Sequence, residues 1–134
     1  ALVATRGHWR DVLAGVVRSE IRGLGHGKMA VLAPSDQLGG VRAELAEAVG
    51  EALVSPDGHP LRAPLVVMDA PAAKGLEFDV VVVVEPAHIA ATSIGDVYVA
   101  MTRPTRRLHA VYRDELPDGW PDHDVNSVAL AHRS

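Results

Sequence analysis

Asp79-Val-Val-Val-Val-Val84 is followed by Glu85-Pro86 and preceded by Lys74-Gly-Leu-Glu-Phe78. Five consecutive valines are β-branched, and nothing polar interrupts them. A strand that alternated between core and solvent would show a polar residue at every second position. This one reads as buried on both faces, as the central strand of a parallel sheet is. The acidic residues at either end, Asp79 and Glu85, bound the run at five apolar residues. A membrane span needs about 18.

Working outward, Met29–Ala33 and Leu65–Met68 are two further short apolar runs, and Leu108–Tyr112 is a fourth strand candidate. Between them lie helical patterns. Trp9, Val12, Val16, Val17 and Ile21 recur at three- and four-residue spacing, which predicts a helix over Trp9–Leu24, stopped by Gly23, Gly25 and Gly27. Val41, Leu45, Ala48 and Val49 make a second stripe, closed by Gly50, with Ser35-Asp36 as a capping candidate. Ser93–Met101 reads as a third helix, with Pro104 just past it. Ala52–Val54 reads as a short strand, and Pro56-Asp57-Gly58 as a turn. Alternating strands and helices predict an α/β fold, a mostly parallel sheet with helices on both faces. In such sheets function gathers at the carboxyl ends of the strands, which is where the loops 33–36, 69–77 and 85–96 are expected.

The chain has 134 residues, and residues 1–115 are expected to form a single domain, with 116–134 a partly ordered tail. Thirteen Lys and Arg stand against seventeen Asp and Glu, a net charge of −4 that gives no global basic field for nucleic acid. The absence of cysteine removes disulfides, thiolate metal sites and a Cys nucleophile. The histidines are scattered, with no pair at the i, i+4 spacing of a helical zinc site, so no metal site is expected. No targeting segment is visible and cytoplasm is the expectation; the Ala start fits a piece of a longer protein. Trp9 and Trp120 read as packing residues, since base-stacking tracks use several aromatics along a basic groove.

Gly23-Leu-Gly-His-Gly-Lys28 imitates a phosphate loop, but Arg22 stands where that motif needs glycine and Met29 where it needs Ser or Thr. It also precedes a strand, whereas a phosphate loop follows one. Two other segments carry more. Ala73-Lys-Gly-Leu-Glu-Phe-Asp79 places charged Lys74 and Glu77 around Gly75, whose backbone can turn tightly or approach a ligand. Tyr98-Val-Ala-Met-Thr-Arg-Pro-Thr-Arg-Arg-Leu108 places Arg103 at a helix end, with Arg106 and Arg107 close behind. Guanidinium groups bind phosphate in a forked geometry.

Together, in this order and separation, the two segments resemble motifs V and VI of superfamily 1 helicases of the UvrD/Rep type. The run through Glu85-Pro86 looks most like the HelD-type branch, whose members act on RNA polymerase. The resemblance spans residues 28–112. It implies a second RecA-like domain, facing an N-terminal RecA-like domain of the same protein across a cleft that holds ATP with Mg2+. Arg103 is then the arginine finger reaching the γ-phosphate, and Glu77 the contact to the nucleotide sugar. Lys74, Gly75 and Arg106 complete the nucleotide-binding set. The implied activity is ATP hydrolysis driving a helicase or translocase on single-stranded or duplex DNA, with the isolated domain inactive for lack of a P-loop.

Two other readings stand beside it: an ATPase that remodels RNA polymerase, and a non-enzymatic RecA-like interaction module. Three positions depart from the family pattern. Pro71 stands where a histidine of the DNA track is common, Pro104 where alanine is common, and Arg42 is the nearest arginine after the first-strand loop, where motif IV supplies one. Only roughly 30–40 residues separate the segments matching motifs IV and V, too few for an inserted domain.

Overall fold

In the computed structural model, residues 2–56, 63–117, 120 and 124–125 are described. Asp57 and Gly58 of the expected turn lie outside them. Six strands form one sheet: β1 (Leu2–Arg6), β2 (Met29–Leu32), β3 (Leu65–Met68), β4 (Phe78–Val84), β5 (Pro104–Tyr112) and β6 (Asp124–Val125). Their order is β3-β2-β4-β5-β1-β6, and every pairing is parallel. The helices are α1 (Trp9–Arg22), α2 (Leu38–Val49), α3 (Pro86–Thr92) and α4 (Ile94–Thr102). The expected α/β architecture is therefore present, with a RecA-like parallel sheet and a central valine strand.

The valine run shows why both faces are covered. Val80, Val82 and Val84 point into one cluster with Leu13, Val16 and Val17 of α1 and Val41 and Leu45 of α2. Val81 and Val83 point the other way, against Ile89 of α3 and Val97 and Ala100 of α4. All five are at most 2% exposed. Trp9 belongs to the first core, with the Arg10 guanidinium 4.5 Å above its ring. Trp120 packs against the second.

Several local expectations need correction. β1 is not expected from the sequence, because Leu2–Arg6 is short and carries no alternation; it gains its place from β5 on one side and β6 on the other. α3 is not expected from the sequence either, because seven residues beginning with proline hold no helical periodicity. Proline at a first helical position is favourable. Glu51–Leu53 is a 3₁₀ turn instead of a strand, with Val54 alone bridging Leu65. Ser35 caps no helix: its hydroxyl donates to Asp69 Oδ2 at 3.2 Å. β5 starts four residues earlier than expected, at Pro104. Among the described residues, no helix is long and apolar enough to cross a membrane.

Gly23–Lys28 is a structural turn. The Lys28 backbone N–H donates to Asp79 Oδ2 at 2.8 Å. A Cβ on Gly27 would stand 2.6 Å from that same oxygen, so the close approach requires glycine.

Candidate functional site

β2 continues to β3 on one side and β4 to β5 on the other, although β2 and β4 are neighbours. That is the topological switch point, and its carboxyl end is where parallel sheets form crevices. A cavity of about 300 Å³ does open there, lined by Pro34, Ser35, Asp36, Asp69, His88 and Asp96 among others. A second, of about 380 Å³, shares Pro34 and His88 with it and includes His8, Glu85 and Arg113.

The site residues named from the sequence stand at the other end. The expectation that the whole 69–77 loop lies at the carboxyl rim is corrected here. The loop leaves β3 at that rim, but β4 runs parallel to β3, so the chain must return to the amino rim before β4 begins. The 3₁₀ turn Pro71–Ala73 lies on this return, followed by Lys74, Gly75 and Glu77 immediately before Phe78. Arg103 caps the end of α4, directly before β5, which starts at the same rim. The two segments, separated by more than 20 residues of chain, are thus brought together.

Their contact is specific. Arg103 Nη1 donates to the Leu76 carbonyl at 3.4 Å, and Nη2 to Thr102 Oγ1 at 3.4 Å. The Phe78 N–H donates to the Arg103 carbonyl at 3.2 Å, tying the two loops through the backbone as well. Both guanidinium bonds are long, and Nε is buried with no partner. Buried polar groups are ordinarily satisfied. Among the described residues, the Arg103 guanidinium is thus held by two long bonds alone. Gly75 holds φ +79°, a conformation that L side chains rarely adopt, and nothing crowds its Cβ direction. Glycine serves conformation here, not space. Lys74 and Glu77 are exposed on either side of it.

Arg106 turns elsewhere. Its Nη2 donates to the Gly23 carbonyl at 3.1 Å, at the end of α1. Arg42, the arginine nearest the motif IV segment, donates from α2 to the Val67 carbonyl at 2.9 Å. Neither contact brings its guanidinium to Arg103.

Four side chains stand outside the site expected from the sequence. Glu20 on α1 accepts from Arg107 Nε at 2.8 Å and pairs with His109 Nδ1 at 2.9 Å. His109 Nε2 lies 2.7 Å from Thr5 Oγ1. A carboxylate only accepts, so Nδ1 carries the proton it shares with Glu20. Burial pushes the Glu20 carboxyl up, but the hydrogen bonds from His109 and Arg107 outweigh it and hold the group below its ordinary value. The spacing resembles a nucleophile–His–acid relay. Thr5 and His109 are 0% and 2% exposed, however, and neither lines a cavity. The relay is a structural tie between β1, β5 and α1.

The remaining group is Glu85. It has φ 51°, the one non-glycine residue with positive φ among those described. Burial and the neighbouring Asp114 push its carboxyl up, against the hydrogen bond from the Arg113 N–H. Among the described residues no three His, Cys, Asp or Glu side chains gather as metal ligands.

No family model matches the chain, and no curated protein does. Among solved structures, the C-terminal domain of a possible DNA helicase from Lactobacillus plantarum WCFS1 superposes with a TM-score of 0.66. The two are 21% identical, and the match covers 87% of this chain and 75% of that one. The chain therefore shares its fold with that C-terminal domain.

Proposed function

We propose that this chain is the second motor domain of an ATP-dependent DNA helicase or translocase of superfamily 1. It supplies the trans half of an ATP site and is inactive alone. One observation carries the reading: Arg103 meets the Leu76 carbonyl within the Lys74–Glu77 loop, so the segments resembling motifs V and VI share one rim. The fold shared with a helicase C-terminal domain supports it.

Arg103 is the finger. Its underused guanidinium stabilises charge on the transferring phosphoryl group, a role worth about 10³–10⁵ in turnover where such residues operate. Glu77 meets the nucleotide sugar, Gly75 lets the backbone approach, and Lys74 adds positive charge. The N-terminal RecA-like domain of the same protein would bring the P-loop and hold Mg2+, which neutralises phosphate charge. Arg106 belongs to the frame, because its guanidinium is committed to the end of α1.

The test is steady-state ATP turnover of the full-length protein with and without single-stranded DNA, wild type beside Arg103→Ala. A loss of about a hundredfold or more with secondary structure intact is expected. DNA stimulation is expected in the wild type. Turnover unmoved by the substitution would refute the assignment.

A further inference from the structure

The start of β5 is irregular. Phe78 pairs with Pro104, and Val80 with Arg107: β4 advances two residues while β5 advances three. The extra residue is a bulge within Pro104–Arg107, directly after Arg103. In a regular strand, Arg106 and Arg107 would point to opposite faces. Across the bulge both reach the last turn of α1, Arg106 to the Gly23 carbonyl and Arg107 to Glu20. Bulges re-aim side chains and bend the strand that carries them.

We propose that Glu20 is a positioning residue for Arg103: by gripping Arg107 it clamps the bulged start of β5 onto α1 and fixes the direction in which Arg103 leaves α4. This rests on the reading of Arg103 given above. The clamp has a rigid base. Glu20 is 8% exposed, and His109 holds it from the core side at 2.9 Å, itself held by Thr5. Its outer jaw is softer, since the Arg107 side chain is 38% exposed. Arg103 touches no atom of Glu20 in this arrangement; the influence passes along the backbone from residue 107 to residue 103. Small misplacements of a catalytic group from a distance can cost up to about 10² in rate.

The experiment is ATP turnover of the full-length protein, with Arg107→Gln, Glu20→Gln, Arg103→Ala and the double variant R103A/R107Q compared below their melting temperatures. Arg107→Gln is the primary variant, because it leaves the buried Glu20–His109 pair intact. Its kcat is expected to fall about tenfold with KM unchanged, as for a contact made only in the transition state. R103A/R107Q is expected to be no slower than R103A, because the clamp acts through Arg103. Arg107→Lys, which can still pair with Glu20, is expected to recover most of the rate. A folded Arg107→Gln with wild-type kcat beside a crippled R103A would overturn the clamp and leave the finger standing. An unaffected R103A would overturn both.

Discussion

The two ends of the sheet differ in charge and in how they hold a carboxyl. At the amino rim Lys28, Lys74, Arg103, Arg106 and Arg107 gather, and Glu20 is held below its ordinary value by cationic and hydrogen-bonding partners. At the carboxyl rim Asp36, Asp69, Glu85, Asp96 and Asp114 gather, and Glu85 is pushed up by burial. Topology alone points to the carboxyl rim, where two of the cavities open. Lys28, Lys74, Arg103, Arg106 and Arg107 make the amino rim the basic one. A chain of net charge −4 can thus offer a local basic edge. The comparison teaches that the position of a crevice and the position of a basic edge need not coincide.

The largest expected effect removes the comparison altogether. Val82→Asp puts an unpaired charge at a position 0% exposed, in the strand from which both rims hang. A cost of several kcal/mol is expected, enough to unfold a domain of this size. A thermal melt overlaying the wild type would contradict the central placement of β4.

Next comes the amino-rim carboxyl. Glu20→Gln leaves a buried ring N–H and a partly exposed guanidinium without their anion, a loss of about 1.5–3 kcal/mol, as for hydrogen bonds to a charged group. The pH dependence follows from the sign of the shift. A lowered folded pKa stabilises above the ordinary carboxyl value of 4.5. That contribution fades as pH falls through the lower folded value. Urea midpoints from pH 7 to pH 3 should therefore converge between wild type and Glu20→Gln.

Gly75→Ala is expected to cost about 1–2 kcal/mol, the penalty of a left-handed conformation for a residue with Cβ. Nothing lies within 4 Å of the added methyl, so the cost is conformational only. Equal urea midpoints for the two proteins would show that the loop relaxes to negative φ.

The smallest effect, at the carboxyl rim, has the opposite slope. A raised folded pKa means that Glu85 favours folding when protonated, and that its contribution is lost as pH rises through the folded value. Glu85→Gln should match the wild type in acid and exceed it slightly at neutral pH. A variant less stable at pH 7 would show that the ionised form is paired.

The sequence made the sheet legible where burial is symmetrical. Five valines can be nothing but a doubly covered strand, and the stripes of α1 and α2 declare their faces. β1 and α3 stayed hidden because five and seven residues are too few to display a period. Lys74, Gly75, Glu77 and Arg103 stand out in the sequence as candidates, but their rim does not, because only the parallel return of β3 to β4 decides it. Glu20 was illegible: within an amphipathic helix it looks like any solvent-facing acid, and its partners stand 87 and 89 residues away. The fate of Arg106 was illegible for the same reason, since the bulge that turns it toward α1 arises from pairing between strands.

The most direct measurement sets one rim against the other in the full-length protein: ATP turnover of Arg103→Ala at the amino rim beside His88→Ala, which lines both carboxyl-rim cavities. The account predicts a loss of about a hundredfold or more for Arg103→Ala and a rate within about twofold of wild type for His88→Ala. The reverse pattern, with His88→Ala crippled and Arg103→Ala active, would place the chemistry at the carboxyl rim and contradict it.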